Sequence, residues 1–286
     1  MKERVVVKGT VLTYGEKWYV GGEIYSSILL SIINSWMLNN YTLQGALNVD
    51  LEEWKARKYG KIKAAIYGYT SDMHNLSINY CLLKEIFNGS EFNKHKKNLY
   101  ISLLLENYFT NIRSLYDFLS FFVQICLTDK QLKSFHDIDS LNSLLKFSNN
   151  NNNKEKLPYR IHKFLDIVGT GLEKIKLIRD LIVHRGKEII LTSSHGEILI
   201  RIPKLGLFSN DNMLPNILNS SDVSYNLIEY LRKITKEHFR FSEDLGVLIL
   251  SELLEKQNYD WELYSITNYC MEDFTDFMLN HKKNFG

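Results

Sequence analysis

The sequence predicts an all-α fold, an antiparallel helical bundle that carries one or two small β-hairpins. Apolar residues make up 45% and charged residues 24% of the 286 residues, a balance that supports a sizeable core. Only three residues are Pro, so long helices meet few breakers. Apolar side chains also recur at helical spacing over long stretches, which predicts helices that pack against one another.

Residues 1–90 are expected to form an N-terminal region that packs on this bundle. Residues 4–22 alternate weakly between apolar and polar side chains on either side of Gly15, which predicts a small hairpin. A helix is predicted over residues 24–39. Its serines and asparagine make it too polar for a membrane span, which needs about 20 mostly apolar residues, so we expect a buried core helix and no membrane partner.

A second helical stretch is predicted from Asp50 to about residue 87. Asp50 is the expected N-cap, and Glu53 is three residues on, where a capping box places its acidic partner. The pattern predicts two helices here, with a break near residues 68–71. Gly89 then provides the signal for the end of the helix.

Residues 91–286 are expected to form the main helical domain. A long helix over residues 92–127 is followed by short helices over residues 129–135 and 138–147. The Asn-rich segment 149–157 is predicted to be a surface loop, because an uninterrupted run of asparagines does not pack.

The helix that carries the candidate chemistry comes next. Pro158 suits the first turn of a helix that runs to about Val168. The glycines in segment 169–171 are predicted to break that helix, and a new helix is expected over residues 172–184. Gly186 is well placed to end it.

The remainder of the chain is expected to hold one more hairpin and two helices. A hairpin is predicted over residues 188–203, because two β-prone runs flank a turn that ends in a glycine. A helix capped by Ser221 or Asp222 should then run to about residue 256. A last helix is predicted over residues 261–280.

Charge and cysteine content narrow the function classes. The net charge of +2 argues against a protein that coats or packages nucleic acid, although basic clusters at residues 94–97 and 232–233 are candidates for extending an RNA groove. The three cysteines lie far apart and form no C-x-x-C pair, so we expect no disulfide framework and a cytoplasmic location. No His, Cys and Asp set has the spacing of metal ligands, and no cofactor is expected.

One short segment combines charged side chains in a pattern that suits phosphate chemistry. Arg179, Asp180 and His184 flank the apolar stripe of the helix predicted over residues 172–184. At about 100° per residue, Asp180 and His184 share one edge of an α-helix, whereas Arg179 lies about 140° from His184. His184 falls in the last turn, where the helix end favours a protonated imidazole. Such a cation beside arginine can act on a phosphate group.

This segment, Arg179-Asp180-Leu181-Ile182-Val183-His184, resembles the R-x4–6-H motif of HEPN proteins. The residue after the arginine is often Asn in that group, and Asp180 is an accepted alternative. The long earlier helix that includes residues 107–119 also resembles the group. The resemblance extends over about residues 99–254.

The resemblance implies a metal-independent endoribonuclease that uses the RNA 2′-hydroxyl as nucleophile and leaves a 2′,3′-cyclic phosphate. His184 would be the acid–base group and Arg179 the clamp on the charged phosphorane, while Asp180 would orient His184 or help position the RNA. Two motifs usually face each other across a homodimer in this group. The implied biological role is a toxin or antiviral defence effector, with an antitoxin or another defence protein as a candidate partner.

Further residues and other functions also follow from the sequence. Arg185, Lys187 and Arg113 are candidates for contacts with RNA phosphates. The first alternative is a non-catalytic HEPN module that binds RNA, a nucleotide or a protein, which suits the modest net charge. The second is a helical interaction protein in which the motif is coincidental, because Arg and His in the last turn of a helix are favourable without any function.

Overall fold

The computed structural model describes residues 10–13, 18–20, 28–34, 53–128, 131, 138–184, 189–194, 196–204, 210–256 and 267–279. The described residues are mostly helical, so the prediction of a mainly helical protein is confirmed. Its α-helices include α1 (28–34), α2 (Glu53–Asn88), α3 (Lys94–Val123), α4 (Leu141–Asn149), α5 (Tyr159–Arg179), α6 (Leu227–Lys256) and α7 (Glu272–Leu279). The strands there are β1 (Thr10–Thr13), β2 (Trp18–Val20), β3 (Ile190–Ser194), β4 (Glu197–Arg201), β5 (Tyr225–Asn226) and β6 (Thr267–Cys270).

Polar side chains mark where the helices begin. The side chain of Asn93 accepts a hydrogen bond from the Lys96 amide at 3.0 Å and caps α3. At the start of α6, the side chain of Asn226 accepts from the Glu229 amide at 3.1 Å. The predicted cap of this helix at residue 221 or 222 is therefore wrong, because the chain first adds strand β5 to a sheet. Such caps satisfy amides that have no partner within the helix.

Neither predicted helix break within α2 or α5 is present. A Cβ on Gly68 of α2 would lie 2.3 Å from the ring of Phe118, so this glycine allows α2 and α3 to approach closely. A Cβ on Gly171 of α5 would lie 2.6 Å from the ring of Phe241 and 2.7 Å from the hydroxyl of Tyr116. Glycine lowers helix stability by only about 1 kcal/mol, so tertiary packing keeps both helices continuous.

Two small sheets complete the fold. β1 and β2 form the predicted N-terminal hairpin, and β6 joins β1 in parallel with Thr10 opposite Thr267. The helix predicted over residues 261–280 is therefore wrong in this part, because a strand precedes α7. β3 and β4 form the predicted second hairpin, with Gly196 at φ 81° in its turn, and β5 pairs with β4. A positive φ of this size favours glycine.

The Asn-rich segment lies on the surface but is not a loop without structure. Residues Asn151–Lys156 form a 3-10 helix directly after α4. The side chain of Asn150 accepts from the Asn152 amide at 3.0 Å, and that of Asn153 donates to the carbonyl of Phe147 at 3.2 Å. Asparagine side chains bind nearby backbone groups readily, which explains why this polar run forms a turn of helix.

The helices enclose one core, and α5 contributes one buried face to it. α5 packs against α3, α4 and α6. Its inward face is formed by buried aliphatic side chains, including Leu172, Ile175 and Ile178. Fully burying a side chain of this size stabilises the fold by about 2 kcal/mol. The burial of this face therefore holds α5, including its C-terminal end, in one orientation against the core.

The described part of the N-terminal region contacts the main bundle. The carboxylate of Glu243 in α6 accepts hydrogen bonds from the Ile28 amide at 3.0 and 3.3 Å, at the first described turn of α1. A Cβ on Gly246 would lie 2.5 Å from the backbone nitrogen of Leu29, so α1 and α6 are in close contact. The division of the chain near residue 90 stays a prediction. No helix in the described part of the chain combines the length and the apolar character that crossing a bilayer demands.

Candidate functional site

The candidate motif lies where α5 changes its helical geometry. The α-helix ends at Arg179, and residues Asp180–His184 form a π-helical turn. The Asp180 amide donates to the carbonyls of both Leu177 and Lys176 at this junction. The prediction of an α-helix through residue 184 is therefore wrong in its last turn. A π turn is closed by hydrogen bonds between residues i and i+5, and such turns occur frequently at functional sites.

The π turn changes how the two ends of the motif are related. In an α-helix, positions 179 and 184 are about 140° apart around the axis. In a π turn, the hydrogen-bonding pattern places position 184 one turn beyond position 179. The backbone thus brings the two positions closer to one edge of the helix than an α-helix would. The described motif backbone ends at His184, whose side chain lies outside the described residues, as do Arg185 and Lys187.

Arg179 and Asp180 are accessible to solvent. Each side chain is 33% exposed, and Arg179 Nη1 lies 3.9 Å from Asp180 Oδ1. This separation is a long ion pair, and contacts of this kind contribute little to stability. The neighbouring residues Ile178 and Leu181 are fully buried and hold this turn against the core. The turn thus carries a cation and a carboxylate that a ligand in solution can reach.

Arg113 has a different environment. It lies on α3, and its Nη1 is 2.6 Å from Oδ1 of Asp117, although the two groups are not aligned as a hydrogen bond. The same carboxylate oxygen accepts from the Leu141 amide at 3.0 Å, at the start of α4. Arg113 therefore takes part in the junction between α3 and α4. Its contact with RNA stays a prediction.

A basic groove, which the sequence alone indicated only at Arg232-Lys233, lies between α5, α6 and the segment before β5. Its volume is about 500 Å³. The described residues that line it are Lys174, Ile217, Leu218, Glu229, Arg232, Lys233, Lys236, Glu237 and Arg240. The members from α6 recur every three or four residues, so they share one helix face. This spacing is the signal in the sequence that could have found the α6 side of the groove, whereas Lys174 and residues 217–218 reach it only through packing.

The contacts of Lys174 and Arg232 determine the charge distribution in the basic groove. Lys174 of α5 pairs with Glu237 of α6 at 3.0 Å. The Nε of Arg232 donates to the carbonyl of Phe277 at 2.9 Å, and its guanidinium lies 5.0 Å from the centre of the Phe277 ring. Partial burial, and secondly the charge of Arg232, lower the pKa of Lys236. The groove therefore holds cations close together, an arrangement that an anion would relieve.

A polar cluster in the core looks like catalytic machinery but is inaccessible. His238 Nε2 lies 3.2 Å from the hydroxyl of Tyr69 and 3.3 Å from that of Ser242. His238 is fully buried, and burial lowers the pKa of its imidazole to about 3. The imidazole is neutral at pH 7, and no substrate reaches it. This cluster serves to connect α2 and α6.

Comparisons with protein-family models, with characterised proteins and with solved structures found no match to this chain. The functional interpretation therefore depends on the residues of the chain itself and on the geometry of the Arg179–His184 turn.

Proposed function

We propose that this protein is a metal-independent endoribonuclease of the HEPN type. The observation that carries the proposal is the π turn Asp180–His184, which follows a partly exposed Arg179 at the end of a helix that the core holds in place. The backbone positions of Arg179, Asp180 and His184 thus lie within about one turn of helix. The mainly helical fold is consistent with the HEPN type.

In the proposed reaction, His184 moves protons and Arg179 stabilises charge. An imidazole accepts the proton of the RNA 2′-hydroxyl as the 2′-oxygen attacks the adjacent phosphorus. The bond from phosphorus to the 5′-oxygen breaks, and that oxygen receives a proton from an imidazolium. The products are a 2′,3′-cyclic phosphate and a free 5′-hydroxyl. The guanidinium of Arg179 would offset the charge that accumulates on the phosphorane oxygens.

The proposal includes a homodimer in which two copies of the motif form one site. A second motif would supply the second proton-transfer group, so that one imidazole acts as base while the other acts as acid. The exposed Leu177, which is 43% accessible, lies three residues before Asp180 and so on the same side of the helix, where such an interface would cover it. We expect sedimentation at micromolar concentration to detect a dimer.

The direct test compares cutting by the wild type with cutting by variants of the motif. A mixed single-stranded RNA would be incubated in EDTA with wild type, His184→Ala, Arg179→Ala and the matched control Lys176→Ala. Lys176 is an exposed cation in the last turn of α5, so its replacement changes the charge but not the proposed site. Loss of an acid–base group should slow cutting by about 10²–10⁴-fold.

The outcomes discriminate between the candidate functions. Cutting by wild type and Lys176→Ala alone, with cyclic phosphate ends on the products, would support the proposal. Equal cutting by all four proteins would place the activity elsewhere. If none of the four folded proteins cuts RNA, the non-catalytic binding module becomes the better interpretation.

A further inference from the structure

The basic groove concentrates positive charge in a protein that is nearly neutral. Five cations and two carboxylates line it, whereas the whole chain has a net charge of +2. One of the two carboxylates, Glu237, is already paired with Lys174. Because charges of one sign in a concave surface reinforce one another, the potential in this groove attracts anions.

The cations of the groove form an extended row. Arg232, Lys236 and Arg240 are spaced four residues apart along α6, and Lys233 lies beside them. At 1.5 Å per residue, the row from Arg232 to Arg240 is about 12 Å long. A row of this length suits a linear ligand with repeated negative charges better than a single small anion.

Several of these cations are available to a ligand. The hydrogen bond and ring contact at Phe277 fix Arg232 through its Nε, which leaves the terminal nitrogens of the guanidinium to form a fork for phosphate oxygens. Lys233 and Arg240 are exposed, and neither has a carboxylate within ion-pair distance among the described residues. A ligand would therefore not have to displace an existing ion pair at these two positions.

We propose that the basic groove binds the phosphate backbone of a single RNA strand, an inference that rests on the proposed function for the identity of the polyanion. The described lining contains no aromatic side chain on which bases would stack, so the phosphates are the expected point of contact. Binding through phosphates alone is independent of base sequence. The groove and the motif share α5, where Lys174 lies about 7.5 Å before Arg179 along the axis and about 140° from it around the axis. The groove would therefore hold substrate RNA on the same helix that carries the motif.

The experiment measures RNA binding by a full-length protein that cannot cut. Fluorescence anisotropy of a labelled single-stranded RNA would be followed in EDTA with His184→Ala as the parent protein. Lys233→Gln and Arg240→Gln would be added together to this parent. The matched control adds Lys61→Gln and Lys63→Gln, which remove the same number of charges from exposed positions on α2.

A quantitative effect is expected for the groove variant. The slope of log K against log salt is negative, and each phosphate contact that is lost on a single strand makes it less steep by about 0.7. Two lost contacts should reduce the slope by about 1.4 and weaken binding by about 10–30-fold at 0.1 M salt. The control variant should retain the affinity of the parent within about twofold. Circular dichroism would establish that all three proteins are folded.

Other outcomes would overturn the inference. Equal weakening by both pairs of substitutions would mean general electrostatics and no RNA site in the groove. Absence of RNA binding by the parent protein would likewise mean that the groove is not an RNA site. If tripolyphosphate displaces RNA at equal phosphate concentration, the groove is a site for small anions. Failure of the groove and failure of the proposed function are distinguishable, because binding is measured without cutting and cutting is measured with the groove intact.

Discussion

The buried imidazole of His238 makes stability depend on pH. Burial lowers its pKa to about 3, against an ordinary value of about 6.5 in the unfolded chain. Protonation therefore favours the unfolded chain. The stabilising contribution of the neutral imidazole is fully present above about pH 6.5 and is lost as pH falls from there toward 3.

The expected size of this effect follows from the two pKa values. Between pH 7 and pH 5, His238 alone should lower the free energy of unfolding by about 2 kcal/mol, because the unfolded chain binds a proton that the folded chain excludes. At pH 4 the loss should reach about 3 kcal/mol. Carboxylates also titrate in this range, so a variant without the imidazole is needed to isolate the effect.

The assay is urea unfolding at pH 7 and pH 5, followed by circular dichroism. His238→Gln keeps a polar group beside Tyr69 and Ser242 but does not titrate. Its loss of stability between the two pH values should be about 2 kcal/mol smaller than that of the wild type. His95→Gln, which removes an exposed histidine, is the matched control. The reasoning is refuted if wild type and His238→Gln lose the same stability on acidification.

Three further predictions use the same urea unfolding assay at pH 7. Gly60→Ala should raise the free energy of unfolding by about 1 kcal/mol, because nothing lies within 4 Å of the new methyl group and alanine favours the helix; a decrease would contradict this. Gly171→Ala should lower it by about 1–3 kcal/mol, because the methyl group would overlap the ring of Phe241; an unchanged value would mean that the ring moves freely. Asn93→Ala should lower it by about 1 kcal/mol through loss of the cap on the Lys96 amide, with Asn93→Asp as the conservative control that retains the cap.

Local sequence patterns were sufficient for the features that depend on neighbouring residues. The spacing of apolar residues predicted the helical class, because a helix buries its apolar face regardless of which element packs against it. Gly89 was correctly predicted to end a helix, and its amide donates to the carbonyl of Glu85 at 2.8 Å. The turn at Gly196 was recognised because flanking β-prone runs and a residue suited to positive φ occur together. The motif was likewise placed near the end of a helix, although the α-helix ends at Arg179 and not at His184 as predicted.

Contacts between distant residues decided the rest. Gly68 and Gly171 reduce helix propensity locally, yet both helices continue because rings from other helices occupy the space that a side chain would fill. The strand Thr267–Cys270 also depends on a distant contact, because it pairs with β1, more than 250 residues away. The row of cations on α6 lines a groove because Lys174 and the segment before β5 pack against that helix. Spacing along one chain specifies a face of a helix, whereas the partner that covers it, or leaves it open, depends on how the helices pack.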